Sequence, residues 1–190
     1  MLKIAITGNI ASGKSLVEEQ FRSLGIEIVD ADKIAHDILG EKIKILQACF
    51  GDEIIKQRKI SREKLAKIIF SDAKKKQKLE SIIHPEVKNR IMDFFKDKKF
   101  AIASIPLLYE VGWEGLFDKV ILVTAKDNTR LKRLTQSRKL SKEQAKIRMK
   151  AQMNQGEKIK KADFIIDNNG TPEETFAQVK TVYDKLIKET

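Results

Sequence analysis

The segment Gly8-Asn9-Ile10-Ala11-Ser12-Gly13-Lys14-Ser15 satisfies the pattern G-x-x-x-x-G-K-[ST] at every position. A loop of this kind carries few side chains, so its backbone N–H groups can surround a phosphate. A helix that follows it directs the positive end of its dipole at the same point. Lys14 has the length to reach the β- and γ-phosphates of a nucleoside triphosphate, and the Ser15 hydroxyl can ligate Mg²⁺. The residues Gly8 through Leu16 are therefore the expected nucleotide-binding stretch. Asp30 and Asp32 come next. A phosphoryl transferase needs one carboxylate to orient or deprotonate an acceptor hydroxyl and another near the metal, and either residue could instead cap the next helix. A third group of candidates is arginine. Arg130, Arg133, Arg138 and Arg148 are four of the eight arginines in the chain. Planar guanidiniums that close over a transferring phosphoryl group stabilise its spread charge and exclude water.

These residues need elements to hold them. Leu2–Thr7 is a short apolar run and predicts a buried strand. Lys14–Leu24 has Leu16, Val17 and Phe21 at helical spacing, closed by Gly25. Ile26–Val29 reads as a second strand, so the first thirty residues form a βαβ unit and predict a parallel sheet. Strand signal then disappears. Residues 33–99 predict helices over 33–48, 61–70, 72–83 and 86–97, the last two meeting at Pro85. Further strands are expected over 100–105, 119–124 and 163–167. Asp127 is expected to cap a helix reaching about 138, residues 139–161 to be helical, and Thr171-Pro172-Glu173-Glu174 to open a terminal helix with a capping box. The expected fold class is α/β: a doubly wound, five-stranded parallel sheet with a helical insertion and a helical lid. In domain terms, 1–32, 100–125 and 162–190 make the nucleotide-binding core, 33–99 the acceptor-binding region and 126–161 the lid.

Composition narrows the class. The 190 residues contain 38 Lys+Arg against 27 Asp+Glu, a net charge of +11, with one cysteine and 42% apolar residues. Global disorder and a disulfide scaffold are excluded, and a reducing, cytoplasmic setting is expected. No run approaches the length of a membrane helix, so no membrane partner is expected, and the run before Gly8 is too short for a leader. A basic chain can bind nucleic acid, but the charge is not spread out. Residues 126–161 hold thirteen basic and three acidic residues, which accounts for ten of the eleven net charges. Aromatic residues are only 6% of the chain and do not cluster in that stretch, so no nucleic-acid partner is expected. No Asn-Lys-x-Asp guanine signature is present. The order of elements suits a small-molecule kinase whose helical insertion recognises the acceptor.

At this level the sequence resembles the dephospho-CoA kinase family. The shared elements are the loop Thr7–Ser15, Val29-Asp30-Ala31-Asp32 with Ala35-His36, Leu79-Glu80-Ser81-Ile82-Ile83-His84-Pro85, Pro106-Leu107-Leu108-Tyr109-Glu110, the spacing of Arg133, Arg138, Arg148 and Gln152, and Ala162–Gly170. The resemblance implies transfer of a phosphoryl group from ATP, with Mg²⁺, to the ribose 3′-hydroxyl of dephospho-CoA, giving coenzyme A and ADP. Another small-molecule or nucleoside monophosphate kinase on the same fold is the alternative. The dephospho-CoA kinase resemblance implies Asp32 as general base and Lys14 and Arg138 as catalytic groups. Asp32, His84, Leu107, Glu110 and Arg148 would serve the acceptor, and Arg133, Arg138 and Asn169 the nucleotide. The partners implied are the two small-molecule substrates, for a monomer or weak homo-oligomer. The chain departs from the family at Asn9 and Ala11, where many members have glycine. It departs again at Gln57-Arg58-Lys59-Ile60-Ser61-Arg62, where many carry Asp-Gly-x-x-Asp-Arg.

Overall fold

A computed structural model describes residues 1–189. In chain order the elements are β1 (Leu2–Gly8), α1 (Lys14–Ser23), β2 (Ile28–Asp30), α2 (Ala31–Glu41), α3 (Ile43–Phe50), β3 (Ile55–Lys56), β4 (Lys59–Ile60), α4 (Arg62–Ser71), α5 (Ala73–Phe95), β5 (Phe100–Ser104), β6 (Lys119–Thr124), α6 (Asp127–Gln136), α7 (Lys142–Lys150), α8 (Gln155–Ile159), β7 (Phe164–Asp167) and α9 (Pro172–Lys188). The chain divides into two units. One is Met1–Val29 joined by everything from Phe95 onward, and the other is Asp30–Phe94.

The first unit is built on a five-stranded sheet in the order β2-β5-β1-β6-β7. β1 is central. It pairs in parallel with β5 from Leu2↔Phe100 to Ile6↔Ser104 and with β6 from Ile4↔Lys119 to Gly8↔Val123. A parallel strand covered on both faces needs apolar residues at consecutive positions, and Ile4, Ala5 and Ile6 are all fully buried. Val17 and Phe21 of α1 and Val179, Val182 and Leu186 of α9 pack into the same core as Ile4, Ile6, Ile102, Ile121 and Ile166. Each fully buried Ile or Phe contributes about 1.5–3 kcal/mol. Thr171 caps α9, with Glu174 completing the capping box. At α6 the expectation moves by one residue: Lys126 is the N-cap, and Asp127, inside the first turn, forms an ion pair with Arg130 at 3.0 Å.

The second unit has its own core of Leu46, Phe50, Ile54 and Leu65. Two expectations are corrected in it. The pair of helices expected to meet at Pro85 is one 23-residue helix, α5, with Pro85 inside it. Proline removes one hydrogen bond from a helix interior. The helix persists because Ile83, Val87 and Ile91 repeat every four residues and are all buried, so one apolar stripe runs past the proline. The second correction is a hairpin in a stretch where no strand was expected. Ile55↔Ile60 and Lys56↔Lys59 pair antiparallel, and Gln57 (φ 51) and Arg58 (φ 61) make the turn in the left-handed region. Two consecutive residues at positive φ define the tight turn that suits a two-residue hairpin, normally written Asn-Gly. The strands escaped notice because each is two residues long.

Candidate active site

The loop between β1 and α1 carries the chemistry, and its two glycines are sterically required. A Cβ on Gly8 would lie 2.7 Å from the Val123 carbonyl oxygen. Gly13 has φ 92, and a Cβ there would collide with the Asn168 amide. Ala11 also adopts positive φ (61), without being glycine. Such a backbone costs of order 1 kcal/mol and persists only where its surroundings enforce it.

Those surroundings are visible in the hydrogen bonds. Arg130, only 3% exposed, donates its Nε to the Ile10 carbonyl at 3.0 Å. Arg133 donates Nη1 to the carbonyls of Ala11 and Ser12 at 3.1 and 3.0 Å, and Nη2 to that of Asn168 at 2.8 Å. Asn168 donates Nδ2 to the Ser12 carbonyl at 2.8 Å, while its Oδ1 accepts from Thr175 at 3.0 Å. Three consecutive carbonyls are thus bound from one side. The N–H groups of Ala11, Gly13, Lys14 and Ser15 have no protein acceptor among the described residues. With its acceptors tied down and these donors unclaimed by protein, the loop has backbone N–H groups to offer an anion.

Lys14 heads α1. Its Nζ lies 2.6 Å from Glu18 Oε1 and also contacts Ser104 Oγ at the end of β5. Ser15 is exposed one residue on. Asn9 donates its Nδ2 to the Met153 carbonyl at 3.0 Å, and the Gln152 side chain accepts from the Ile10 N–H at 2.7 Å. These two bonds join those of Arg130 and Arg133 in fastening the basic segment to the loop. A cavity of about 940 Å³ opens here, lined by Asn9, Lys126, Arg130, Lys146, Met149 and Gln152 among others.

The remaining expected residues fall in distinct settings. Arg138 follows the end of α6 and Arg148 lies on α7, both exposed. Asn169 Oδ1 accepts from the Lys126 N–H at 2.8 Å and from Thr129 at 3.1 Å, so it fixes the start of α6. Leu107 is exposed in the loop after β5, where the Pro106 carbonyl accepts from Thr7 at 3.2 Å. Glu110 pairs with the fully buried Lys158 at 2.8 Å and accepts from the Met153 N–H at 3.0 Å. It braces the loop after β5 against the segment around α8. In the second unit, Asp30 is the N-cap of α2 and accepts from the N–H groups of Asp32 and Lys33 at 2.8 and 3.3 Å. Asp32 is exposed in the first helical turn. His84 is half-buried on α5 beside Pro85, and burial pushes its pKa below the usual histidine value.

Four contributors had no role in the sequence reading: Asn168, Glu18, Ser104 and the framing function of Arg130. Arg130 and Arg133 sit three apart, one turn of a single helix face, which was the available signal. Glu18 stands four residues after Lys14 on the same helix, so its contact was also within reach of spacing.

A parallel sheet ordered β2-β5-β1-β6-β7, with a glycine loop at the carboxyl end of its central strand, defines a P-loop kinase fold. Solved shikimate kinases share it: the enzyme from Acinetobacter baumannii superposes with a TM-score of 0.55 at 13% identity, covering 100% of this chain and 95% of that one. More specific similarity comes from sequence. The dephospho-CoA kinase family model matches residues 2–174. A dephospho-CoA kinase from Listeria monocytogenes is 40% identical over 97% of both chains, and one from Geobacillus kaustophilus is 37% identical over 98% of this chain and 99% of its own. The structure of dephospho-CoA kinase from Campylobacter jejuni has a TM-score of 0.75 at 36% identity over 98% of each chain. That of TT1252 from Thermus thermophilus reaches 0.89 at 35% identity over 97% of each. The chain belongs to the dephospho-CoA kinase family.

Proposed function

We propose that this protein transfers the γ-phosphoryl group of ATP to the ribose 3′-hydroxyl of dephospho-CoA, forming coenzyme A and ADP. The observation that carries the reading is the loop Gly8–Ser15, in a chain of this family: its Ile10, Ala11 and Ser12 carbonyls are bound by arginine, and the N–H groups of Ala11, Gly13, Lys14 and Ser15 have no protein acceptor among the described residues. The amides of Ala11, Gly13, Lys14 and Ser15, with Leu16 beyond them, receive the phosphates. Lys14 leaves Glu18 and Ser104 to bind the β- and γ-phosphates. Arg138 and Arg148, exposed on the basic segment, close over the transferring group and the acceptor. Arg133 and Asn169 border the adenine. Asp32 takes the proton from the acceptor hydroxyl. His84 and Leu107 hold the acceptor, and Glu110 acts by shaping the loop that carries Leu107.

The residues at the loop fit a magnesium ion. Ser15 offers a hard oxygen donor, and Glu18 presents a carboxylate three residues later on α1. No cluster of three or more His, Cys, Asp or Glu side chains able to hold a metal occurs among the described residues, so phosphate oxygens and water would complete the shell. Bound there, the ion would neutralise charge on the β- and γ-phosphate oxygens. Among the described residues no helix is long and apolar enough to cross a membrane. The reading extends to a cytoplasmic monomer or weak homo-oligomer that works on small molecules without nucleic acid.

ADP release across a panel of dephospho-CoA, AMP, CMP, shikimate and pantothenate tests the assignment. Turnover is expected with dephospho-CoA and Mg²⁺, and preference for another acceptor would overturn it. Asp32→Asn is expected to abolish transfer while retaining ATP binding.

A further inference from the structure

Glu18 is the one buried carboxylate among the described residues, at 5% exposure. Burying an ionised carboxylate costs several kcal/mol unless it is paired. Its partner is Lys14, at 2.6 Å, with the two side chains 7% and 16% exposed. Lys14 also touches Ser104. This pairing cannot be a fixed structural bridge if Lys14 serves incoming phosphates, because the lysine must then leave and the carboxylate stays behind.

The neighbouring strand ends bear on what replaces the lysine. P-loop enzymes commonly place an acid beside the metal in addition to the loop hydroxyl. The two strands that flank β1 end here in Ser104 and Thr124, neither of them acidic. On α1, Glu18 is four residues from Lys14 and three from Ser15, so its carboxylate shares a face with both the phosphate-binding amine and the metal-binding hydroxyl. We infer that Glu18 is a positioning carboxylate that exchanges partners during nucleotide binding: it holds Lys14 back when the loop is empty, and accepts hydrogen bonds from metal-bound water once the phosphates have taken Lys14. The inference rests on the ATP and Mg²⁺ reading above. It predicts that ATP binding depends on the metal, through Glu18. Without the ion, a buried negative charge competes with the phosphates for Lys14. With it, that charge has a new partner.

The test is equilibrium binding rather than turnover. The Kd for ATP is measured by calorimetry in EDTA and in Mg²⁺ for the unmodified protein, Glu18→Gln, and Glu18→Gln combined with Ser104→Asp. Glu18→Gln is expected to bind metal-free ATP about tenfold more tightly than the unmodified protein and to lose most of the gain from Mg²⁺. The Ser104→Asp combination returns a carboxylate to the same lysine and is expected to restore that gain. A metal-dependent unmodified protein whose ratio of affinities is unchanged by Glu18→Gln would overturn the assignment while leaving the ATP reading intact. Metal-independent ATP binding by the unmodified protein would overturn the assignment alone, whereas no ATP binding in either EDTA or Mg²⁺ would overturn the ATP reading as well. If Glu18→Gln does not fold, Glu18→Asp, which withdraws the carboxylate by one methylene, is expected to give an intermediate ratio, and an unchanged ratio counts against the inference.

Discussion

The two units use arginine in opposite ways. In the sheet-based unit, Arg130 and Arg133 are turned inward and bind backbone carbonyls of the phosphate loop. In the helical unit, Arg90 faces outward and binds carboxylates: Glu41 through both terminal nitrogens, and Glu86 at 3.3 Å, with all three side chains at least a third exposed. The inward pair determines the shape of a loop that must bind anions. The outward arginine joins helices through charges that water screens. A guanidinium is costly to remove where its partners would be left buried and unpaired, and cheap where water can replace it.

Arg133→Ala should test the contrast most severely. Three carbonyls lose a donor, and the loop loses the constraint that holds Ala11 at positive φ. A destabilisation of about 2–4 kcal/mol is expected, read as a fall of roughly 4–16 °C in Tm, together with a loss of ATP affinity of at least about tenfold. Arg133→Lys should not rescue either, since an ammonium cannot present the same fork. A variant that kept its Tm would show that the loop holds its own shape. Arg138→Ala separates framing from catalysis within one basic segment. Its kcat should fall by about 10²-fold with Tm unchanged, because the side chain is exposed. A matching loss of stability would assign it to the frame instead.

In the helical unit the effects shrink. Arg90→Ala should cost no more than about 1 kcal/mol by chemical denaturation. Arg58→Gly should act in the opposite direction and stabilise by about 0.5–1 kcal/mol, since glycine removes the steric penalty at φ 61. The smallest effect concerns pH. Burial lowers the His84 pKa in the folded protein, so the unfolded chain binds the proton more readily. Stability is then fully present above the unfolded value near 6.5 and declines as the pH falls below it. His84→Gln should flatten the slope of Tm between about pH 7 and 5, and an unchanged slope would remove His84 as its source.

This contrast also explains what could be read from the sequence. The sheet-based unit was legible because its signals are local: a glycine loop of set spacing, apolar runs for buried strands, a capping box at Thr171. The helical unit was legible as helical, yet its hairpin and the continuity of α5 were not. A two-residue strand has no period to detect, and Pro85 breaks a helix in isolation but not one anchored by Ile83, Val87 and Ile91. At the site, Lys14 and Ser15 declared themselves by motif. Asn168 and Ser104 did not, because their roles exist only once residues 156 and 90 positions away have been brought beside them.

The placement of β1 has a consequence for synthesis. The strand is made well before both of its partners: Leu2 pairs with Phe100, and Ile4 with Lys119. On a ribosome adding about 5–20 residues per second, this apolar strand waits on the order of 5–20 s before either ladder can form. Over that interval the whole of Asp30–Phe94 emerges, with its own apolar cluster. The nascent chain therefore carries an unpaired apolar strand through about half of its synthesis, and slowing elongation between codons 30 and 100 should increase aggregation of the newborn protein rather than improve its yield.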